Sequence, residues 1–373
     1  MLTEGLSWIL RLTHFPLEVY IVVASLYVLL PALIYPFFAQ RIRSKMEVKP
    51  KSENSISKFI IVTPAHNEGE CIENLIKSIQ NQNYPKNKYR HLVVADNCSD
   101  HTAPKVIKLG AEVFERQTDA PSDKTQALRY VSDIIRKEST DADYVIVIDA
   151  DCTLPAHFLS ALSEAIEENP SGAYQTYRNV SNAAEGALPA MDAAAEELRQ
   201  VINLGVKDCL GLDAHLHGNG TAYRIDLFHA CAQARQEPFA DDKAWKATLT
   251  QLGEHVKWVG NAPVEYAAVT ESSNFQNQRK RWITGQIEMI RTYSLPMIRL
   301  GLKRKDKSAL EFGFSMLQLP RAILFLSAGY LFAVSAIAPT LVFGHAAAYF
   351  CLGGCLFGYG LLGYAVGGIP LHP

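Results

Sequence analysis

The segment from Pro16 to Phe38, PLEVYIVVASLYVLLPALIYPFF, limits what the chain can fold into more than any other feature, because it carries a single charge, Glu18. A helix of that length crosses a hydrocarbon core of about 30 Å. A cleaved leader has a basic start, a shorter apolar stretch and a small-residue cleavage site, whereas this chain opens with Glu4. The expectation is a retained anchor over residues 16–38 after a short segment 1–15. Arg41, Arg43, Lys45, Lys49 and Lys51 follow it, against Arg11 alone before it. Positive-inside bias then puts the basic linker 39–57 and the middle of the chain in the cytoplasm, with the N-terminus outside. Two further apolar runs, Leu319–Phe343 and Ala346–Ile369, are separated by Gly344 and His345 and read as a membrane hairpin, entered through residues 309–343. Before them Arg299, Lys303, Arg304, Lys305 and Lys307 repeat the cytoplasmic signature. Within 287–308, apolar residues from Ile287 to Leu302 recur at helical spacing with basic residues between, as in a helix lying in the interface; an ordinary domain helix is the alternative. The reading is a multi-pass membrane protein with the lipid bilayer as a partner.

Between these ends the chain is that of a folded soluble domain. Hydrophobic residues make up 48% and charged residues 20%, which excludes disorder, and the net charge of -2 gives no basic field that would make nucleic acid a main partner. The mean hydropathy of +0.00 fits a soluble domain joined to a few membrane segments. Seven cysteines with no CxxC pair indicate neither a disulfide framework nor a zinc knuckle, and read as reduced thiols.

Over 58–286, short apolar runs alternate with helical periodicity: Lys58–Thr63 before Cys71–Gln80, His91–Ala95 before Thr102–Lys108, Ala111–Phe114 before Lys124–Arg136, and Tyr144–Ile148 before Ala156–Glu167. This predicts an α/β domain with a mainly parallel sheet covered by helices. Ligands of such sheets collect beyond the carboxyl ends of the strands. There the chain places Pro64-Ala65-His66-Asn67-Glu68, Asp96-Asn97-Cys98-Ser99-Asp100, Lys124 at a helix start, and Asp149-Ala150-Asp151. No GxGxxG or GxxxxGK[ST] occurs, which disfavours dinucleotide and P-loop chemistry. Asp149 and Asp151 offer hard oxygen ligands for Mg²⁺ or Mn²⁺ that could clamp a diphosphate, although Asp-x-Asp more commonly marks a turn or cap. Asp241-Asp242, after Pro238-Phe239-Ala240, could take a proton from an attacking hydroxyl; its plain use is a helix N-cap. Gln278-Arg279-Lys280-Arg281-Trp282 joins a ring for stacking on a sugar to guanidinium groups for phosphate, or is simply a basic helix face.

In this order, PAHNE, VVADNCSD, the helix-start lysine, DADCTLP, GNGTAYR, a paired acid and QxxRW resemble the family 2 inverting glycosyltransferases, in particular the membrane-attached branch with cellulose, chitin, hyaluronan and poly-N-acetylglucosamine synthases. The resemblance covers about Lys58 to Tyr293 and implies a GT-A nucleotide-diphospho-sugar fold. It implies that Pro64, Asn67, Glu68 and Asp96 lie at the base and ribose, that Lys124 lies near the diphosphate, and that Asp151 is the direct metal ligand with Asp149 nearer the nucleotide. It places Gly218, Asn219, Gly220 and Thr221 beneath the acceptor and makes Asp242 the general base. The motif there reads Ala240-Asp241-Asp242 instead of Thr-Glu-Asp. Gln278 and Arg281 would close over the donor diphosphate, with Trp282 lining the acceptor entrance. The implied reaction is transfer from a UDP-sugar to a lipid-linked or polysaccharide acceptor, forming a β bond, with possible partner subunits. A catalytically silent scaffold that binds sugar nucleotide or polymer is the alternative from another class, and a nucleotidyltransferase of similar fold would release pyrophosphate in place of UDP.

Overall fold

The computed structural model describes residues 2–48, 57–119, 122–234, 241–270 and 284–369. Helix α1 spans Leu2–Met46, well beyond the apolar stretch at both ends, and continues through Pro16, Pro31 and Pro36. An α/β domain follows, its elements in the order β1 (Phe59–Ala65), α2 (Ile72–Gln80), β2 (Tyr89–Asp96), α3 (Thr102–Lys108), β3 (Glu112–Arg116), α4 (Lys124–Glu138), β4 (Tyr144–Val147), β5 (Cys152–Thr153), α5 (Phe158–Glu168) and β6 (Ala173–Val180). A long helical stretch comes next, consisting of α6 (Ala187–Glu197), a π-helical segment (Leu198–Leu204) and α7 (Gly205–Cys209). Then come β7 (Thr221–Arg224), α8 (Ile225–Gln233), α9 (Asp241–Leu252) and β8 (Val256–Tyr266).

The eight strands form one sheet in the order β3-β2-β1-β4-β7-β6-β8-β5. Strands β1 to β4 run parallel, with Val62 opposite both Leu92 and Val147. Because successive strand side chains point to opposite faces, Ile60, Val62, Leu92, Val94, Val145 and Val147 enter one core, while Phe59, Ile61, Tyr144 and Ile146 enter another beneath α2 and α5. Both faces being buried explains the continuous apolar runs of these strands.

One strand breaks the parallel set and thereby builds the site. Strand β7 is antiparallel to both β4 and β6, pairing Thr221 with Val147, so the loop before β7 arrives at the carboxyl end of β4. Strand β8 is parallel to β6, so α9, which leads into β8, begins at that same edge. The edge therefore collects the ends of β1, β2 and β4, the starts of α4 and α9, and residues 217–220.

After residue 283 the chain is helical over 284–289, π-helical over Ile290–Ser294, and helical again over Leu295–Arg304 and Lys307–Met316. Met289 and Met297 pack on Ala247, Phe312 and Met316, whereas Ile287, Leu295 and Leu302 stay exposed. The apolar run expected as one span over Leu319–Phe343 is shorter than it reads. Its helix covers only Arg321–Ile337, a 3₁₀ turn at Pro339–Leu341 follows, and Ala346–Gly367 is the last helix. Pro339 has no N–H to continue the helix, which explains the early stop. Two described helices, in α1 and at Ala346–Gly367, are long and apolar enough to cross a membrane; a third span results if Lys307–Met316 and Arg321–Ile337, bent by 62°, count as one.

The terminal helices are not appendages. Tyr35 and Ile42 of α1 and Tyr359 of the last helix belong to the same core as Ile60, Val62 and Trp258. A Cβ on Gly363 would fall 2.3 Å from the Ala194 carbonyl oxygen of α6, so the helices touch backbone to backbone there.

Candidate active site

Local folding fixes each polar group at the shared edge. Asp123 caps α4, its side chain accepting the Thr125 N–H at 2.9 Å, and this makes Lys124 the first helical residue. Lys124 Nζ donates to Asp149 Oδ1 and to the Gly218 carbonyl, both at 2.5 Å. Three segments far apart in sequence thus meet on one ammonium group. The residue 217–220 loop is held from behind: Gln175 Oε1 accepts the His217 N–H at 2.8 Å, Thr176 Oγ1 donates to the Gly220 carbonyl at 2.8 Å, and Asn219 Oδ1 accepts the Asp149 N–H at 3.2 Å. Gly218 and Gly220 have φ of +72° and +66°, a region where a side chain is strained. A Cβ on Gly218 would lie 3.8 Å from Asp242 Cβ and 4.0 Å from Lys124 Nζ, so Asp242, at the start of α9, and Lys124 both stand next to Gly218.

The loops after β1 and β2 are bound to each other. Asn67, at φ +57°, accepts the Ser99 N–H at 2.8 Å on Oδ1, and the Glu68 N–H donates to Thr102 Oγ1 at 2.9 Å. Glu68 Oε2 accepts from Cys71 Sγ at 3.0 Å. Asp96 is buried; Arg116 Nη1 donates to its Oδ1, and Oδ2 accepts the Asp123 N–H at 3.2 Å. His66 Nδ1 lies 2.7 Å from the Asp96 carbonyl oxygen and 2.8 Å from Ser122 Oγ.

Partial desolvation at the strand end and the adjacent Asp149 carboxylate together raise the Asp151 carboxyl above the ordinary aspartate range. A place that disfavours a second negative charge in this way is one that a cation relieves. Among the described residues no three His, Cys, Asp or Glu side chains converge on a common point. The donor set of two carboxylates one residue apart fits a hard divalent ion that takes its other ligands from a diphosphate and water.

The structure brings Asp96, Lys124, Asp149, Asp151, Gly218–Thr221 and Asp242 to one strand-end edge, with Pro64, Asn67 and Glu68 on its rim. Gln278, Arg281 and Trp282 lie outside the described residues, as does the side chain of Asp241. Sequence reasoning missed Arg116, Ser122, Gln175 and Thr176. Arg116 had a signal, since it ends β3 directly opposite Asp96 in the parallel register.

Comparison with known proteins agrees with this geometry. Residues 60–228 match Glycosyl transferase family 2. A beta-monoglucosyldiacylglycerol synthase of Trichormus variabilis is 25% identical over 279 residues, 73% of this chain and 58% of that protein. A probable glycosyltransferase, YdaM, of Bacillus subtilis is 23% identical over 258 residues, 67% of this chain and 60% of that protein. The chain thus spans about 58% of the length of the curated synthase it matches. The solved mannosyltransferase PcManGT of Pyrobaculum calidifontis, in complex with GDP-Man and Mn²⁺, superposes over 93% of this chain and 98% of its own, with a TM-score of 0.53 and 16% identity, which shows the shared GT-A-type fold. The residues that match this family carry Lys124, Asp149 and the Gly218 loop gathered at one edge, and the chain around them is similar to a monoglucosyldiacylglycerol synthase.

Proposed function

We propose that the chain is a membrane-attached inverting glycosyltransferase that moves a sugar from a nucleotide-diphospho-sugar, a UDP-sugar, to a lipid-linked acceptor. The observation that carries this reading is that Asp242 and Lys124 both stand next to Gly218, with Lys124 bonded to Asp149. A carboxylate there faces the point where donor and acceptor would meet. Asp242 takes the proton of the acceptor hydroxyl as its oxygen attacks the anomeric carbon, and the nucleotide leaves from the opposite face. The product bond is β if the donor is α-linked. Lys124 offsets the charge that grows on the leaving diphosphate. Asp151, with Asp149 behind it, would hold Mg²⁺ or Mn²⁺, which supplies further charge neutralisation when bound. Asp96 and the Asn67–Glu68 loop hold the nucleotide, and Gly218 to Thr221 form the floor beneath the acceptor.

A lipid acceptor is favoured over a growing polymer by the apolar helices at both ends of the domain, which among the described residues include two long and apolar enough to cross a membrane and would hold the site close to lipid. Relatives that make a glucosylated diacylglycerol point the same way. The basic residues at both ends of the domain support a position on the cytoplasmic face. The test is a screen of radiolabelled nucleotide sugars on membranes, with product separated as lipid-extractable or polymeric. Lipid-extractable product from a UDP-sugar is expected; polymer, or no transfer from any donor, would overturn the reading.

A further inference from the structure

The residue after Asp242 leads from the site towards the apolar helices. Oδ1 of Asp242 accepts the Lys243 N–H at 2.8 Å, a backbone donor of the first turn of α9, and this bond sets how the carboxylate is turned. The Lys243 side chain is half-buried, and its ammonium donates to Gln286 Oε1 in the helical stretch 284–289. Burial lowers the proton affinity of this amine, the Asp242 carboxylate raises it and the Arg199 charge lowers it again. An apolar side chain of similar length would be about as stable in such a place, so the bond to Gln286 serves orientation more than stability.

Gln286 carries the link onward. Its Nε2 donates to the Met316 carbonyl and, at 3.3 Å, to the Gln318 carbonyl. Met316 ends the helix Lys307–Met316, whose last carbonyls have no partner within the helix. Gln318 lies in the break before Arg321–Ile337, where the two helices bend by 62°. From α1, Tyr20 Oη donates to the Leu317 carbonyl at 2.8 Å and accepts the Leu319 N–H at 3.1 Å. Gln286 and Tyr20 thus hold alternate residues of the break. The same two helices also meet through Ala247, one turn after Lys243, which packs with Met289, one turn after Gln286. Apolar packing has no direction and leaves helices able to slide, whereas a hydrogen bond between them fixes their register.

We propose that Lys243 and Gln286 are positioning residues for transfer: through their hydrogen bond the break at 316–319 sets where Asp242 stands, so that the carboxylate meets a hydroxyl delivered along the apolar helices. This inference rests on the glycosyl-transfer reading above, in which Asp242 is the base.

The test uses the full chain in neutral detergent, with the nucleotide sugar selected by the screen above as donor and diacylglycerol as acceptor. Lys243→Met and Gln286→Leu are each expected to lower kcat about tenfold or more, because a small misplacement of a reacting group is that costly, with donor KM unchanged within about twofold. The double variant is expected to fall no further than the worse single one, since both changes break one link. Lys243→Arg, which still donates to Gln286 Oε1, is expected to keep most of the parent's kcat. Melting temperatures within a few degrees of the parent show that the fold is kept. Should Lys243→Met melt far lower, Gln286→Leu and Lys243→Arg decide the matter, with loss expected in the first and retention in the second. Parent-like kcat in Gln286→Leu overturns the proposal, as do losses that multiply in the double variant, which would mean that the two residues act separately. A rise in donor KM in place of a fall in kcat also overturns it, by assigning the pair to donor binding. If the screen finds no nucleotide sugar that is transferred, the transferase reading itself fails, an outcome that comes before any comparison of these variants and is distinct from it.

Discussion

Gly218 and Gly220 share a loop and a backbone conformation but have different surroundings, so alanine at each should separate two costs. At Gly218, φ is +72° and the nearest atoms to a new Cβ are 3.8 Å away, which is ordinary contact. Only the left-handed backbone is penalised, by about 1–2 kcal/mol. At Gly220, φ is +66°, but the Cβ would sit 2.5 Å from Thr176 Oγ1 and 2.9 Å from Val264 Cγ2. Neither neighbour can yield easily, because Thr176 Oγ1 donates to the Gly220 carbonyl and Val264 is fully buried in the core of β8. Overpacking of this kind adds about 1–3 kcal/mol, so Gly220→Ala should cost about 2–5 kcal/mol in all. For a domain of this size each kcal/mol lowers Tm by about 2–4 °C. Thermal melting in detergent should therefore show Gly218→Ala down by about 2–8 °C and Gly220→Ala by about twice as much or more. Equal shifts would refute the packing argument and leave backbone strain as the whole effect. Transfer should follow another order, with Gly218→Ala losing activity out of proportion to its stability, since Lys124 bonds to that carbonyl.

Asp242→Asn should keep donor affinity by calorimetry and lose about 10²–10⁴-fold in transfer; lost donor binding would move the base to another acid. Asp151→Asn should abolish metal-stimulated transfer with Tm within a few degrees of the parent, since an exposed acid at a strand end contributes little to stability; transfer near the parent's level would rule out the metal role. His91 on β2 is pushed down to about 4 by burial from an ordinary value of 6.5. Its neutral form supports the fold above pH 6.5 and that support is lost as pH falls toward 4, so His91→Gln should flatten the acid limb of a Tm-against-pH curve.

The alternation of apolar runs and helical periods showed β1, β2 and β4 with their helices because those strands are buried on both faces, and β3 because its short apolar run precedes a helical one. It did not show β6, where AYQTYRNV puts Gln175 and Thr176 at fully buried positions. Those polar residues are spent on the 217–220 loop, a partner more than forty residues away that no local pattern announces. The site motifs were readable because each follows or opens an element. Their convergence was not, since it depends on β7 running antiparallel between β4 and β6.

Because Tyr35, Ile42 and Tyr359 are built into the sheet's own core, the domain is fixed against helix α1 and the last helix. Helix α1 runs from Phe38 to Met46 without a break past the apolar stretch, with Ile42 against Gly205 and Met46 against Gly260. Such a mount does not swing. On the proposed reading of a lipid acceptor, the site cannot lean down to gather a hydroxyl lying deep among acyl chains, and the acceptor must rise to meet it. Headgroup size then becomes a gauge of reactivity: too short a spacer leaves the hydroxyl below Asp242.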